Sequence, residues 1–236
     1  MKRFFELLLA GRFFLLLQLT VARILPARLF RLGKSAYLRL DRNKHHSVVP
    51  DESLEIRRGE ETDVVDLVRD LYENDKSVQE FYGNFYRQGI EPWIAKRAGK
   101  VIGVVWLYRG HYIAPWQGYD GFVLRLEIET TGRFVANVFV APESRRHGIF
   151  SKIAGRFLSE SPKEEFYTCV DEDNTRSIRA HEKIGFRRYG AIYYIQIFGR
   201  TWAVFVTRRR MPKFFRMPRG ETVSVILGNV RQGVQD

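Results

Sequence analysis

Two stretches of this 236-residue chain carry residue types whose spacing suits ligand chemistry. The first is VFVAPESRRHGIF, from Val138 to Phe150. Its β-branched and aromatic start reads as a strand that stops at Pro142, and its end reads as a helix opening at Gly148. Arg145, Arg146 and His147 lie between. A helix N-terminus leaves amides unpaired and presents the positive end of the helix dipole, so this junction suits a phosphate or pyrophosphate. The arginines add charge there, and Gly148 lets a ligand approach the backbone closely. The plainer reading is a strand-to-helix turn with two solvated arginines. The second stretch is DNTRSIRAHEKIGF, residues 173–186. Asn174 caps a helix of about three turns, and Gly185 stops it. Between Gly148 and Asn174 there is room for one helix, one loop and one strand, which is what a crossover between two parallel strands requires.

The elements that must position these stretches follow from periodicity. Short strands are expected at 36–40 and 54–57. Thr62 is placed to cap a helix over 62–72, with Val64, Leu67, Val68 and Leu71 on one face. A second helix over 77–88 carries Phe81, Tyr82, Phe85 and Tyr86, a spacing that marks core and also suits the floor of an acceptor pocket. Strands at 93–97 and 101–108 flank Ala98-Gly99-Lys100, a hairpin signal. A Gly- and aromatic-rich loop over 110–121 precedes strands at 122–129 and 133–140. A helix at 148–159, a strand at 166–170, a helix at 174–184 and strands at 188–197 and 201–206 complete a mixed α/β layer structure.

Composition narrows the class. With 45% hydrophobic and 28% charged residues the chain is an ordinary globular protein. The single cysteine, Cys169, excludes an internal disulfide framework and a Cys-rich zinc site, and reads as a small buried apolar residue. His45, His46, His111, His147 and His181 show no metal-ligand spacing, so no metal is expected. The net charge of +12 is unevenly placed. Residues 1–46 carry ten Lys/Arg against Glu6 and Asp41; residues 208–236 carry seven against Glu221 and Asp236; residues 47–207 carry 22 against 23 acids. The body is neutral and the ends are basic, a pattern for an anionic membrane surface or solubilising tails and not for a nucleic-acid groove.

Taken together, the two stretches resemble the GNAT superfamily of acyl-CoA-dependent N-acyltransferases. The family's pyrophosphate motif, Arg/Gln-x-x-Gly-x-Gly/Ala, is matched at Arg145 and Gly148, and its Asn cap with an aromatic-Glu-Lys-Leu-Gly-Phe ending is matched by Asn174 and His181-Glu-Lys-Ile-Gly-Phe186. The element order over 54–207 is also similar to the family's. The resemblance implies a mostly antiparallel twisted sheet with a splayed central strand pair, flanking helices and a helical N-terminal arm. It implies that acetyl-CoA, the acyl-donor cosubstrate, lays its pyrophosphate on the amides of Arg146, His147, Gly148, Ile149, Phe150 and Ser151 beside Arg145. The pantetheine would pair with strand backbone around Val138, Phe139 and Val140 and be held by Asn174. An acceptor amine would then attack the thioester directly. Three positions depart from the family. Phe150 stands where Gly or Ala is frequent, and His181 stands where a Tyr commonly protonates the departing thiolate, a role histidine can take. Ala136 stands where some members place a basic Glu. Glu127 and Glu129, on one face of the preceding strand, are the replacement candidates for the base; Asp120 and His111 lie in the loop before them. Each is more often a surface group, and a water relay serves the same purpose.

The expected organisation is a basic hydrophobic arm and linker at 1–46, an acyltransferase domain at 54–207 and a basic tail at 208–236. The longest uncharged run of the arm, residues 13–22, is half of the ~20 residues that a span needs. Two readings stand for residues 1–34: a helix lying in the interface of an anionic membrane, or an arm packed on the body or on a second subunit. On the first, a chain beginning at Ser47 would fold and bind acetyl-CoA without the arm. The expected acceptor is a small-molecule amine or aminosugar, with no nucleic-acid partner and the protein cytoplasmic, peripheral at the inner membrane face. A homodimer fits the second reading. The rivals are a longer acyl donor on CoA or a carrier protein, and a non-catalytic acyl-CoA-binding membrane adaptor.

Overall fold

The computed structural model describes residues 30–44, 51–115, 123–128, 132–198, 200–207, 210–217 and 222–227, with Thr20 and Ile24. In chain order the elements are β1 (Phe30–Leu40), β2 (Glu55–Arg58), α1 (Glu61–Leu71), α2 (Lys76–Arg87), β3 (Glu91–Arg97), β4 (Lys100–Arg109), β5 (His111–Pro115), β6 (Val123–Ile128), β7 (Gly132–Val140), α3 (Ile149–Glu160), β8 (Glu165–Asp171), α4 (Thr175–Ile184), β9 (Phe186–Ile197), β10 (Arg200–Thr207), β11 (Arg210–Met217) and β12 (Thr222–Leu227). A nine-stranded sheet runs β11-β10-β9-β1-β8-β7-β4-β3-β2, and a three-stranded sheet runs β12-β6-β5. Every pairing is antiparallel except β7 with β8 and β12 with β6. This is the mixed, mostly antiparallel sheet flanked by helices that the resemblance implied.

The sheet is covered on both faces, which is why β4 is buried from Val101 to Tyr108. Trp106 and Tyr108 face α1 and α2, while Val105 and Leu107 face α3 and α4. Gly103 continues the alternation of Val105 and Leu107 and lies against α3. A Cβ there would sit 2.9 Å from Ile149, so only glycine admits the helix this closely. The hydroxyls of Tyr72 and Tyr82 lie 3.0 Å apart, and the Tyr82 ring stacks on Trp106 with centroids 5.2 Å apart. The aromatic series on α2 is therefore largely core.

The start of α1 is held differently from the sequence expectation. Glu60, not Thr62, is the N-cap, in a capping box with Asp63. Asp63 is 2% exposed and lies 2.6 Å from both Arg57 and Lys96. Burial would raise its carboxyl, but the Arg57 guanidinium, the Glu60 amide and Lys96 outweigh burial and hold it at about 2.

Three boundaries are corrected. The strand expected at 36–40 begins at Phe30 and lies inside the sheet between β9 and β8, so much of the supposed arm and linker is central to the body. Apolar alternation alone does not reveal whether a strand has one neighbour or two. The expected loop at 110–121 contains β5. The basic tail contains β11 and β12, which pair with β10 and β6. The arm before Phe30 lies outside the described residues, apart from Thr20 and Ile24, which are helical and exposed. No described helix is long and apolar enough to cross a membrane.

Candidate active site

Parallel strands β7 and β8 pair only from Gly132↔Glu165 to Val135↔Thr168. The Thr168 hydroxyl donates to the Val135 carbonyl at 2.8 Å and closes the last rung. Beyond it the strands part, because β7 bulges: Ala136 faces Trp106 and Phe139 faces Val104, so two residues of β7 oppose one of β4. Asn137 takes the bulge with φ of +48°, and its Nδ2 donates to the Tyr108 hydroxyl at 3.0 Å. Asn tolerates this left-handed conformation better than the β-branched residues around it. On the far side β8 stays with β1, where the Ser35 hydroxyl donates to Asp171 at 2.7 Å. A wedge is left between residues 136–140 and 169–171.

The strand-to-helix junction lies at the wide end of that wedge. A 3-10 turn at Pro142–Ser144 leads into Arg146 and Gly148, with φ of +69° and +71°, before α3 begins. Lys152 donates its amide to the Gly148 carbonyl; the amides of 146–151 have no backbone partner among the described residues. A Cβ on Gly148 would meet nothing within 4 Å, so the backbone is open to a ligand at that residue. Arg146 and His147 are exposed and Ser151 is half-buried. Arg145 turns back: its Nε donates to the Val140 carbonyl at 3.0 Å, and its guanidinium lies over the Phe139 ring. Val138 and Val140 pack toward α3 and α4. Phe139 faces the other way, 5.0 Å from the Tyr72 ring. The arrangement suits an elongated ligand with an anionic group at the α3 amides and a chain along the open edge of β7.

Asn174 accepts the Ser177 amide at 3.1 Å and is exposed, leaving its amide nitrogen free to donate. The Phe150 ring is buried against His181, with centroids 4.6 Å apart, so its bulk points away from the amides. His181 is 2% exposed, and its Nδ1 lies 2.8 Å from the Ser177 carbonyl. A carbonyl can only accept, so Nδ1 carries the proton. Nε2 has no partner among the described residues, and burial pushes the ring's pKa down to about 4 against a small opposing pull from that carbonyl. The ring is neutral and wedged between Phe150 and Phe186. This environment argues against the expected role as a general acid: the Nδ1 proton is engaged by the Ser177 carbonyl, and the ring packs in the core.

Glu127 lies on β6 of the small sheet, opposite His111 and Ile226. Glu129 and Asp120 fall outside the described residues. At the end of β8 the Asp171 carboxylate accepts from the Ser35 hydroxyl. Sequence reasoning missed Asn137 and Tyr108. The available signal was an Asn inside a run of strand-forming residues.

The profile of the Acetyltransferase (GNAT) family matches residues 61–186. The chain belongs to this family. A search of curated proteins gave no match. Among solved structures, a functionally unknown conserved protein from Staphylococcus epidermidis is similar at a TM-score of 0.54 and 14% identity, over 77% of this chain and 66% of that one. A GNAT-family acetyltransferase from Colwellia psychrerythraea is similar at 0.49 and 13%, over 71% and 56%. A complex of AAC(6')-Iy with the bisubstrate analogue CoA-S-monomethyl-acetylneamine is similar at 0.43 and 19%, over 57% and 91%. The chain spans about half to two thirds of the length of several such structures. The family assignment covers both stretches from which the site is built.

Proposed function

We propose that the protein transfers an acetyl group from acetyl-CoA to a primary amine of a small molecule or aminosugar, by direct attack in a ternary complex. The observation that carries this reading is the end of the β7–β8 ladder at Val135↔Thr168, beside a turn whose amides have no backbone partner among the described residues. The donor's pyrophosphate would take the amides of 146–151, with Arg145 and Arg146 supplying charge. Its pantetheine would run along Val138–Val140 and meet the free nitrogen of Asn174. A β7 amide near Val140 would polarise the thioester carbonyl as negative charge develops there. The acceptor would lie on the aromatic side, at Tyr72 and Phe139. Its proton would leave through water, which would also protonate the thiolate, because His181 is neutral and buried.

Acetyl-CoA should raise the melting temperature, since a ligand that binds the native state alone stabilises it by mass action. Gly148→Glu should abolish the shift: it forces a side chain into left-handed backbone and sets a negative charge before the amides. An unchanged shift in that variant would remove the donor site from this junction. Thiol release across an amine panel separates transferase from acyl-CoA-binding adaptor, and acyl-chain selectivity separates acetyl from longer donors.

A further inference from the structure

Phe198 stands where the fold has no use for a phenylalanine. Strands β9 and β10 pair up to Ile197↔Arg200, so two residues of sequence connect them, the first of which is Phe198. Such connections need left-handed backbone, and Asn, Asp or Gly supply it at least cost. Phe198 adopts φ of +46° with 77% of its surface exposed. The ring thus strains the turn and contributes no burial, a combination that points to a role outside the fold. Trp202, on β10, is 37% exposed, in register with Ile195 and through it with Leu32, both half-buried.

The hairpin projects. β8 ends at Asp171 opposite Ser35, while β1 and β9 continue together as far as Phe30 and Ile197. Five further residues at ~3.3 Å each carry the tip about 16 Å past the end of β8. β1 is antiparallel to both β8 and β9, so β7, β8 and β9 run the same way. The tip therefore lies at the end of the sheet where the wedge opens and α3 begins.

Charge identifies the partner. β1, β9, β10 and β11 contain no Asp or Glu and nine Lys or Arg; Lys34, Arg39 and Arg188 are engaged by Glu172 and Glu165, whereas Arg31, Arg200 and Arg216 stand at strand positions next to the tip. Exposed aromatics at the end of a wholly basic half-sheet fit a surface that is negative outside and apolar beneath. We propose that the β9–β10 hairpin docks the protein on an anionic bilayer, with Phe198 and Trp202 entering the interface and the basic strands supplying the attraction. Docked this way, the wedge opens at the membrane, so the acceptor is an amine carried by a lipid or lying at its surface. That last consequence rests on the proposed transferase reading; the docking does not.

The test uses the full chain, with vesicles of phosphatidylcholine alone and of phosphatidylcholine with phosphatidylglycerol. The protein should co-sediment with the anionic vesicles, and less so in high salt. Phe198→Asn creates the preferred Asn-Gly turn, so it should keep or raise the melting temperature while weakening vesicle binding about tenfold. Trp202→Thr, a strand-compatible change away from the turn, should weaken it likewise. The acetyl-CoA thermal shift should be unchanged in both, which keeps docking and donor binding separately readable. Absence of wild-type binding, or equal binding by both variants, overturns the proposal; the second outcome assigns membrane contact to the arm instead. A wild-type dimer that Phe198→Asn dissociates also overturns it, making the tip a contact between two copies of the chain.

Discussion

His181 shows how one ring can look catalytic in sequence and be structural in space. Its position on α4 is where the family commonly places a proton donor, yet its Nδ1 proton is committed to Ser177 and its Nε2 is buried with no hydrogen-bond partner among the described residues. His181→Leu, similar in volume and without a titrating group, should retain kcat within about threefold, far from the 10²-fold loss expected on removing a general acid. The same variant should change acid sensitivity. Between about pH 6.5 and 4 the unfolded chain takes up a proton that the folded ring refuses. The native state therefore loses stability as pH falls through that window, by up to about 3 kcal/mol at its lower end. Melting curves at pH 7 and pH 4.5 should show a smaller loss in the leucine variant. An equal loss in both would mean that the ring is protonated in the folded state, which would restore the acid role.

At the scale of elements, the wedge depends on the bulge at Asn137 and the platform beside it depends on Asp63. Asn137→Val would put a β-branched residue at φ of +48°, costing about 1–3 kcal/mol. Urea unfolding should register that cost, and acetyl-CoA affinity should fall at least tenfold if the strand straightens and the wedge narrows. Asn137→Gly accepts the same backbone and should keep affinity despite losing the bond to Tyr108. Asp63→Ala removes the capping box and leaves Lys96 without its closest partner, for a loss of about 3 kcal/mol. Because the folded carboxyl sits at about 2, its contribution is fully present above pH ~3.8 and disappears as pH falls toward 2. Acid titration of the two proteins should therefore converge below that window.

For the whole molecule the decisive strand is β1. A chain beginning at Ser47 lacks the element that bridges β8 and β9, exposes both their edges and separates β9–β11 from the rest of the sheet. It should aggregate or fail to fold, against the expectation drawn from charge segments alone. A chain beginning a few residues before Phe30 keeps every pairing of the nine-stranded sheet and should preserve the acetyl-CoA shift. Circular dichroism melts of the two, with and without acetyl-CoA, check both statements. The body reaches back at least to Phe30, well before residue 46.

What the residues determined unaided was local. Helix faces such as Val64–Leu67–Val68, the Ala98-Gly99 turn, the Gly185 stop and the strand-to-helix turn at Gly148 all depend on neighbours within a few positions, so period and turn chemistry reveal them. Tertiary structure decided what depends on partners far along the chain. It placed β1 at the centre of the sheet, separated β7 from β8 at a bulge whose register is set by β4, turned Arg145 onto Val140, and removed Glu127 to another sheet. Above all it chose the state of His181. A histidine's sequence neighbours do not reveal whether its ring will be solvated or buried, and here Phe150, 31 positions earlier, supplies part of the packing that buries it.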